Sequence, residues 1–531
     1  MKYISKIFTL MLVGTLLYSC DDFLEEEPRD EISLDQFFEE PAQAENAVNA
    51  LYAIGAPQMW SAGGVYDGKR GMYGQYLSGF FDNEYKGQEP HIQFAQQLTL
   101  NGINIDGFSN SIWSDLYLAI SRANSAIKYI PDTPGLSEAD ANRLMAEARF
   151  FRGFAYFQLV RLYGEVPLIE EPYEALEDLY IAKSPIADIY ALIESDLTFA
   201  VNEGGLSSSA MVNNNYRITE GAAAAVLADV YLTMSGEPLN QDRYADAAAM
   251  ARRVINSGTY SLAQHDVVEG EVDLENSAYN KIRRDEALAQ EYIYLIEHEV
   301  GISTSTYPQY AYPVAYASEV KYAITNGAYQ PVDEFMWGYD AENDLRAQNK
   351  QYFHTTFVHS EDSISTFPPT PYIWHEDDAL FQTATSGKDT RAYSYSEVLL
   401  IAAEAIAQSE GVTAEAISYL AKVRSRAYWK QDEADIEAAL NGLSQQAFVE
   451  EVWTERYREL VFDFKLWFDM IRTRKYPLTS EDGNGEIEYV NLVGQENTWG
   501  QTFQAKHLLL PLPQREIQRN PKLEQNDGYT E

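Results

Sequence analysis

AEARFFRGFAYFQLVRLYGEVPL, residues 146–168, is the stretch from which the rest of this chain can be read. Its small and apolar residues, taken with Leu144 just upstream, recur at spacings of three and four: Leu144, Ala148, Phe151, Ala155, Leu159 and Leu162. That period lines them up on one stripe of an α-helix. Ser137, with Asp140 three residues later, has the form of a capping box in which Asp stands for the usual Glu. Gly164 and Pro167 end the pattern. The spacing predicts a helix over 137–163, preceded by another over 111–130.

Working outward, the helical segments come in pairs, with small residues where two helices must approach closely. Trp113-x-x-Leu116-Tyr117-x-x-Ile120 is one such segment and Ala224-x-x-Leu227-Ala228-x-x-Tyr231 another. Val398-x-x-Ile401-Ala402-x-x-Ala405, followed by Ala416, Leu420 and Val423, is a third. These resemble tetratricopeptide repeats, whose first helix reads W-x2-L-G-x2-Y. The spacing between them is irregular, so the expectation is a mostly α-helical, degenerate repeat scaffold. Two stretches interrupt it, near residues 57–107 and 301–381, both rich in Tyr, Trp and Gly. Insertions of that length, read as largely without regular structure, are uncommon unless they carry function.

The N-terminus offers a different signal. Lys2 and Lys6 precede an apolar run from Ile7 to Leu17, which fits a secretory h-region and is too short to span a bilayer. The run ends at Leu17-Tyr18-Ser19-Cys20, and Cys20 is the only cysteine of 531 residues. This resembles a lipobox, so residues 1–19 are expected to be a signal peptide and Cys20 a lipid attachment point. One thiol excludes an intrachain disulfide. Acyl chains on Cys20 would anchor the protein without a spanning helix. Residues 20–531 show no Pro- or Ser-rich linker and are expected to form one unit.

The chain carries 81 acidic against 39 basic residues, a formal charge of -42. Such a surface repels a phosphate backbone, so nucleic acid is excluded as a partner. It also disfavours strongly acidic polysaccharides unless a local basic patch exists. Enzyme signatures are missing: there is no G-x-S-x-G, H-E-x-x-H, Walker A or G-x-G-x-x-G. The seven histidines are scattered, and His354 with His359 reads as structural. Asp340-x-Glu342-x-Asp344 begins like a calcium loop, but Leu345 stands where glycine is needed and Gln351 where the last Glu belongs. No cofactor and no metal site is expected.

Four blocks then carry a resemblance. They are Cys20-Asp21-Asp22-Phe23-Leu24 with Pro28 and Phe37-Phe38, the 146–168 stretch, Glu455-Arg456-Tyr457-Arg458-Glu459-Leu460 with Trp467 to Arg472, and Leu510-Pro511-Leu512-Pro513 with Asn520-Pro521 to Gly528-Tyr529. In residue content and order the chain resembles the SusD/RagB family of outer-membrane nutrient-binding lipoproteins. The resemblance implies four pairs of tetratricopeptide-like helices supporting ligand-binding loops, and binding without cleavage. It implies a SusC-like TonB-dependent transporter as partner and a lipid-anchored, surface-exposed place in the outer membrane. The acidic residues after Cys20 resemble a surface-export signal. Within the blocks, Leu460, Phe464, Phe468 and Ile471 read as one apolar helix stripe, and Arg149, Arg152, Glu455 and Glu459 as pairing partners inside or between helices.

The ligand would meet the loops. Flat aromatic rings cover the C–H face of a sugar at low entropy cost, and Asp or Asn beside them bond its hydroxyls. Phe81, Asp82, Asn83 and Tyr85 in the early loop, and Tyr307, Tyr310, Tyr312 and Trp337 in the central one, are the expected ligand-binding residues, converging on one exposed face. The leading expectation is an oligosaccharide ligand. The alternative is an oligopeptide, as in the RagB branch.

Overall fold

The computed structural model describes residues 37–60, 73–84, 86–173, 179–321, 327–360 and 362–529. Cys20 and its neighbours, and Tyr85, lie outside the described residues. The scaffold is carried by α1 (Asp106–Tyr129), α2 (Glu138–Tyr163), α3 (Ile186–Asn202), α4 (Glu220–Ser235), α5 (Tyr244–Asn256), α6 (Tyr395–Glu410), α7 (Ala414–Ala427), α8 (Gln445–Glu459) and α9 (Leu466–Thr473). Five of these starts are set by a hydroxyl. Ser137, Thr219, Ser394, Thr413 and Ser444 each accept from the backbone N–H three residues on. That satisfies one of the donors a helix leaves orphaned at its N-terminus. Gly164 ends α2 at φ 73°, where a Cβ would stand 2.8 Å from Leu509 Cδ1.

Each helix packs on the next in chain order, from α1 to α7, with α8 against α6. The mostly α, repeat-like reading is therefore met. The stripe on α2 is buried throughout, but so are Glu147, Arg152, Gln158 and Arg161 on its other faces, because neighbouring elements cover α2 on more than one side. Most of these polar groups are paired. Arg152 donates to both oxygens of Asp196 at 2.7 and 2.8 Å and to Asn124 Oδ1 at 2.9 Å. The Arg161 guanidinium lies between the rings of Phe157 and Phe468, 3.8 and 3.9 Å from their centroids. Arg149, expected to pair, rests over the Phe199 ring instead. Leu460, Phe464 and Ile471 are core residues and Phe468 packs against the core, but not on one helix: α8 stops at Glu459, and Phe464 turns the chain at φ 65° before α9 begins.

Residues 257–394 leave the stack after α5, and α5 nevertheless packs directly on α6. Six of the strands bear on the site and are, in chain order, β1 (Phe81–Asn83), β2 (Tyr292–Ile296), β3 (Ala328–Pro331), β4 (Phe353–Ser360), β5 (Ser363–Pro371) and β6 (Thr390–Ser394). β2 and β6 pair antiparallel, Tyr292 opposite Ser394 and Ile296 opposite Thr390, and close the base of this excursion. β4 and β5 form a hairpin, so the central stretch holds more regular structure than its composition indicates. The early stretch likewise contains short helices at Tyr73–Ser78 and Pro90–Gln96.

The excursion is seated by buried charge. Arg346 is fully buried and donates to Asp344 at 2.7 Å and, from α8, to Glu455 at 2.7 Å and Glu459 at 2.9 Å. Burial alone would raise the Glu455 carboxyl, but Arg346, Arg424 and Arg458 outweigh it and hold it at about 2. Ala311, Tyr312, Val320, Phe357, Ala379 and Leu380 form a small apolar core of their own, apart from the main one. Among the described residues no helix is long and apolar enough to cross a membrane.

Candidate functional site

The early and central segments do meet. β1 pairs antiparallel with β3, Asp82 opposite Gln330, and the Glu84 carboxylate accepts from Val314 N and Gly327 N, each at 2.8 Å. Segments far apart in the chain are thus laid side by side on the stack.

Among the described residues, however, Phe81, Tyr307 and Tyr310 are not presented as open plates. Phe81 is fully buried with its ring 4.8 Å from that of Phe335. Tyr307 is buried against Trp374 and donates its hydroxyl to Trp60 O at 2.6 Å. Tyr310 is buried against Tyr329 and Trp374. A ring whose polar end is satisfied inside the protein behaves as core, whatever the loop it sits on. Asn83 is buried too, donating to Glu89 at 2.7 Å and Tyr76 at 3.3 Å. Asp82 stays half-buried and accepts from Lys86 and Gln96, each at 2.8–2.9 Å. Trp337 is half-buried at the end of the short helix Asp333–Met336.

Among the predicted residues, Tyr312 lines a cleft. That cleft, about 490 Å³, lies between the β4–β5 hairpin and the 307–321 loop. Its size falls in the range of small-ligand sites. Tyr312, Phe357, Tyr372 and Phe381 supply aromatic surface, and His375 joins them. Lys350, His359, Glu319 and Asp377 stand exposed at its rim. Phe357 has its ring 5.4 Å from Tyr312 and 5.2 Å from Tyr316, so the apolar floor is a packed cluster and not a single ring. Burial pushes the Tyr312 phenol above its ordinary range. It lowers His354 to about 4 and carries His375 well below 6.5, so both rings are neutral. The arrangement provides flat apolar faces with neutral hydrogen-bonding groups beside them and charges of both signs at the edge.

Phe357, Tyr372, His375 and Phe381 were not singled out by composition. A signal for the wall existed: residues 353–360 and 363–371, rich in β-branched and aromatic residues and separated by two positions, have the form of a hairpin. The Asp340 loop is no calcium site in form. Asp340 accepts from Glu342 N and Asn343 N, and Asp344 is committed to Arg346. Among the described residues no group of three or more metal-ligating side chains is assembled.

Comparison with known proteins gives a consistent grouping. Residues 227–529 match the SusD family, and residues 22–232 match a family described as "Starch-binding associating with outer membrane". SusD-like protein P2 of Formosa agariphila is 28% identical, with 99% of each chain covered. A SusD superfamily protein from Parabacteroides distasonis superposes with a TM-score of 0.79 at 28% identity, covering 92% of this chain and 99% of that one. Surface glycan-binding protein A of Bacteroides thetaiotaomicron, solved in complex with laminarihexaose, shares the fold with a TM-score of 0.68 at 17% identity, covering 92% and 99%.

Proposed function

The chain belongs to the SusD family, and on that premise we propose that it is a binding lipoprotein of the outer membrane that captures oligosaccharides at the cell surface and hands them to a SusC-like TonB-dependent transporter. It acts without catalysis, and the lipid on Cys20 holds it to the membrane. The observation that carries the glycan reading is the cleft between the β4–β5 hairpin and the 307–321 loop, where aromatic faces adjoin neutral hydrogen-bonding groups. A sugar ring needs that combination, a flat apolar surface for its C–H face and polar groups for its rim. The similarity to a protein solved with laminarihexaose supports the same ligand class.

Affinity electrophoresis and calorimetric titration against neutral glycans and against oligopeptides test the reading. Retardation by at least one glycan, with no product released, is the expected result. Binding of oligopeptides alone would replace the sugar with a peptide. Cys20→Ala should release the protein from membranes, protease treatment of intact cells should digest the wild type, and the transporter should co-purify with it.

A further inference from the structure

One group in the cleft is left unsatisfied by the protein. His375 lines the cleft yet is only 4% exposed. Its Nε2 lies 3.1 Å from the Tyr312 hydroxyl. Its backbone N–H donates to Tyr372 O at 2.8 Å, and its carbonyl accepts from Arg283 Nη1 at 2.9 Å. The ring's Nδ1 has no hydrogen-bond partner among the described residues. The backbone is pinned at both polar atoms while one ring nitrogen is shut away from water unpaired. Buried polar groups are nearly always satisfied, and leaving one unpaired is unfavourable. On the wall of a cleft, such an atom marks where a ligand supplies the missing partner.

We propose that Tyr312 and His375 form a hydroxyl-reading pair at the floor of the cleft, taking an uncharged, hydroxyl-bearing sugar residue whose C–H face lies on Phe357. This rests on the glycan reading above and deepens it. The chemistry follows from the shared proton. If the Tyr312 phenol donates to Nε2, the neutral imidazole carries its proton on Nδ1, so Nδ1 donates and the phenol oxygen accepts. If Nε2 donates to the phenol oxygen, Nδ1 accepts and the phenol proton is free to donate. Either way the pair offers one donor and one acceptor. A hydroxyl group answers both, being donor and acceptor at once. A carboxylate or sulfate only accepts and leaves one side unanswered.

The charges agree. Arg283, whose guanidinium lies over the Tyr372 ring, and Lys350 are offset across the rim by Asp377 and Glu319. Lys388, set farther back, is paired with Asp285. The cleft therefore holds no excess charge to select an anion, and burial together with His354, Arg283, Lys350 and Lys388 keeps His375 neutral. Nδ1 is closed to solvent, so reaching it requires the side chains over it to shift while Nε2 keeps its bond to the Tyr312 hydroxyl.

The test is calorimetric titration of the full-length protein, Tyr312→Phe and His375→Asn with laminarihexaose, maltohexaose, xylohexaose and tetragalacturonate. It is read beside the ¹⁵N resonances of the histidine rings in the wild type. Tyr312→Phe keeps the ring and its packing, and should weaken neutral-sugar binding about three- to tenfold. His375→Asn, which places an amide near Nδ1, should keep part of the neutral-sugar affinity that a His375→Leu variant titrated beside it loses. Saturation with the neutral sugar should shift the His375 Nδ1 resonance, a readout that holds if either variant folds poorly. Unchanged affinity in both variants with an unmoved resonance would overturn the pair and leave the glycan reading standing. Tighter binding of tetragalacturonate, lost in Tyr312→Phe, would overturn the uncharged class. Binding of none of the neutral sugars by the wild type would overturn the pair together with the glycan reading.

Discussion

The helical stack and the central excursion bury the same kinds of ring but treat polarity in opposite ways. Around α2 and α8 buried charges are set against one another: Arg152 with Asp196, and Arg346 with Asp344, Glu455 and Glu459. The polar rings at the cleft are neutral, His354, His375 and the Tyr312 phenol, with buried Arg283 behind them over Tyr372. Taking charges out of water is unfavourable, and a partner out of place leaves an unpaired charge behind, so ion pairs fix one arrangement sharply. Neutral rings impose no such penalty on a small rotation. The scaffold is built to hold one register, and the cleft to adjust to what enters it.

The largest effect should come from the joint between the two regions. Arg346→Met takes the ion-pair partner from buried Asp344 and one partner each from Glu455 and Glu459, which keep Arg424 and Arg426, and should cost about 3–5 kcal/mol. Urea unfolding measures the loss, and limited proteolysis should show cleavage concentrated in residues 301–381. A loss under about 1 kcal/mol with no new cleavage would break the distinction, since it would mean that the excursion is not seated by charge.

Acid should separate the regions next. His354 titrates near 6.5 when unfolded and near 4 when folded, chiefly because it is buried, with Lys350 and Arg283 adding to the effect. Since the folded value is the lower one, its contribution is whole above pH 6.5 and is lost as pH falls toward 4. At pH 5 the loss from this ring comes to about 2 kcal/mol. Near-UV circular dichroism, which reports the rings, should change before the far-UV helix signal. Coincident loss of both signals would count against the contrast.

Smaller changes sharpen it. Ser137→Ala removes the cap of α2 and should lower stability by about 1 kcal/mol without altering ligand affinity, as thermal melts and titration on one sample would show. Trp337→Ala should move stability by about 0.5 kcal/mol and affinity by less than about twofold, because Trp337 is half-buried and outside the cleft. A tenfold loss of affinity would widen the binding face beyond the cleft.

Much of the scaffold is legible in the sequence because helix periodicity, hydroxyl caps and a terminal glycine are local signals. Leu144 to Leu162, Ser137 and Gly164 each behave as read. The aromatic face is not legible in the same way. Tyr307 and Tyr312 sit five positions apart in one Tyr-rich loop, yet Tyr307 reaches Trp60 O and joins the main core while Tyr312 turns to the cleft. What separates them is the position of Trp60 and of the β4–β5 hairpin, both distant in sequence. Ring content reports that apolar surface exists, not which side of it faces water. The full burial of Arg346 escaped for a related reason: a charge looks like surface until its partners on another element are known.

The ladder between β2 and β6 has a consequence for how such a protein can be redesigned. Both ends of residues 297–389 join neighbouring strands, with Tyr292 opposite Ser394, while α5 and α6 pack on each other. The helices therefore form a socket of fixed geometry, and residues 297–389 are a cartridge entering through one paired neck. A cartridge from a relative, spliced at that neck and keeping Asp344 and Arg346 to engage Glu455 and Glu459, would meet the same seat. Ligand preference is thereby separated from helix packing, and a library of exchanged cartridges could be screened on one unchanged socket.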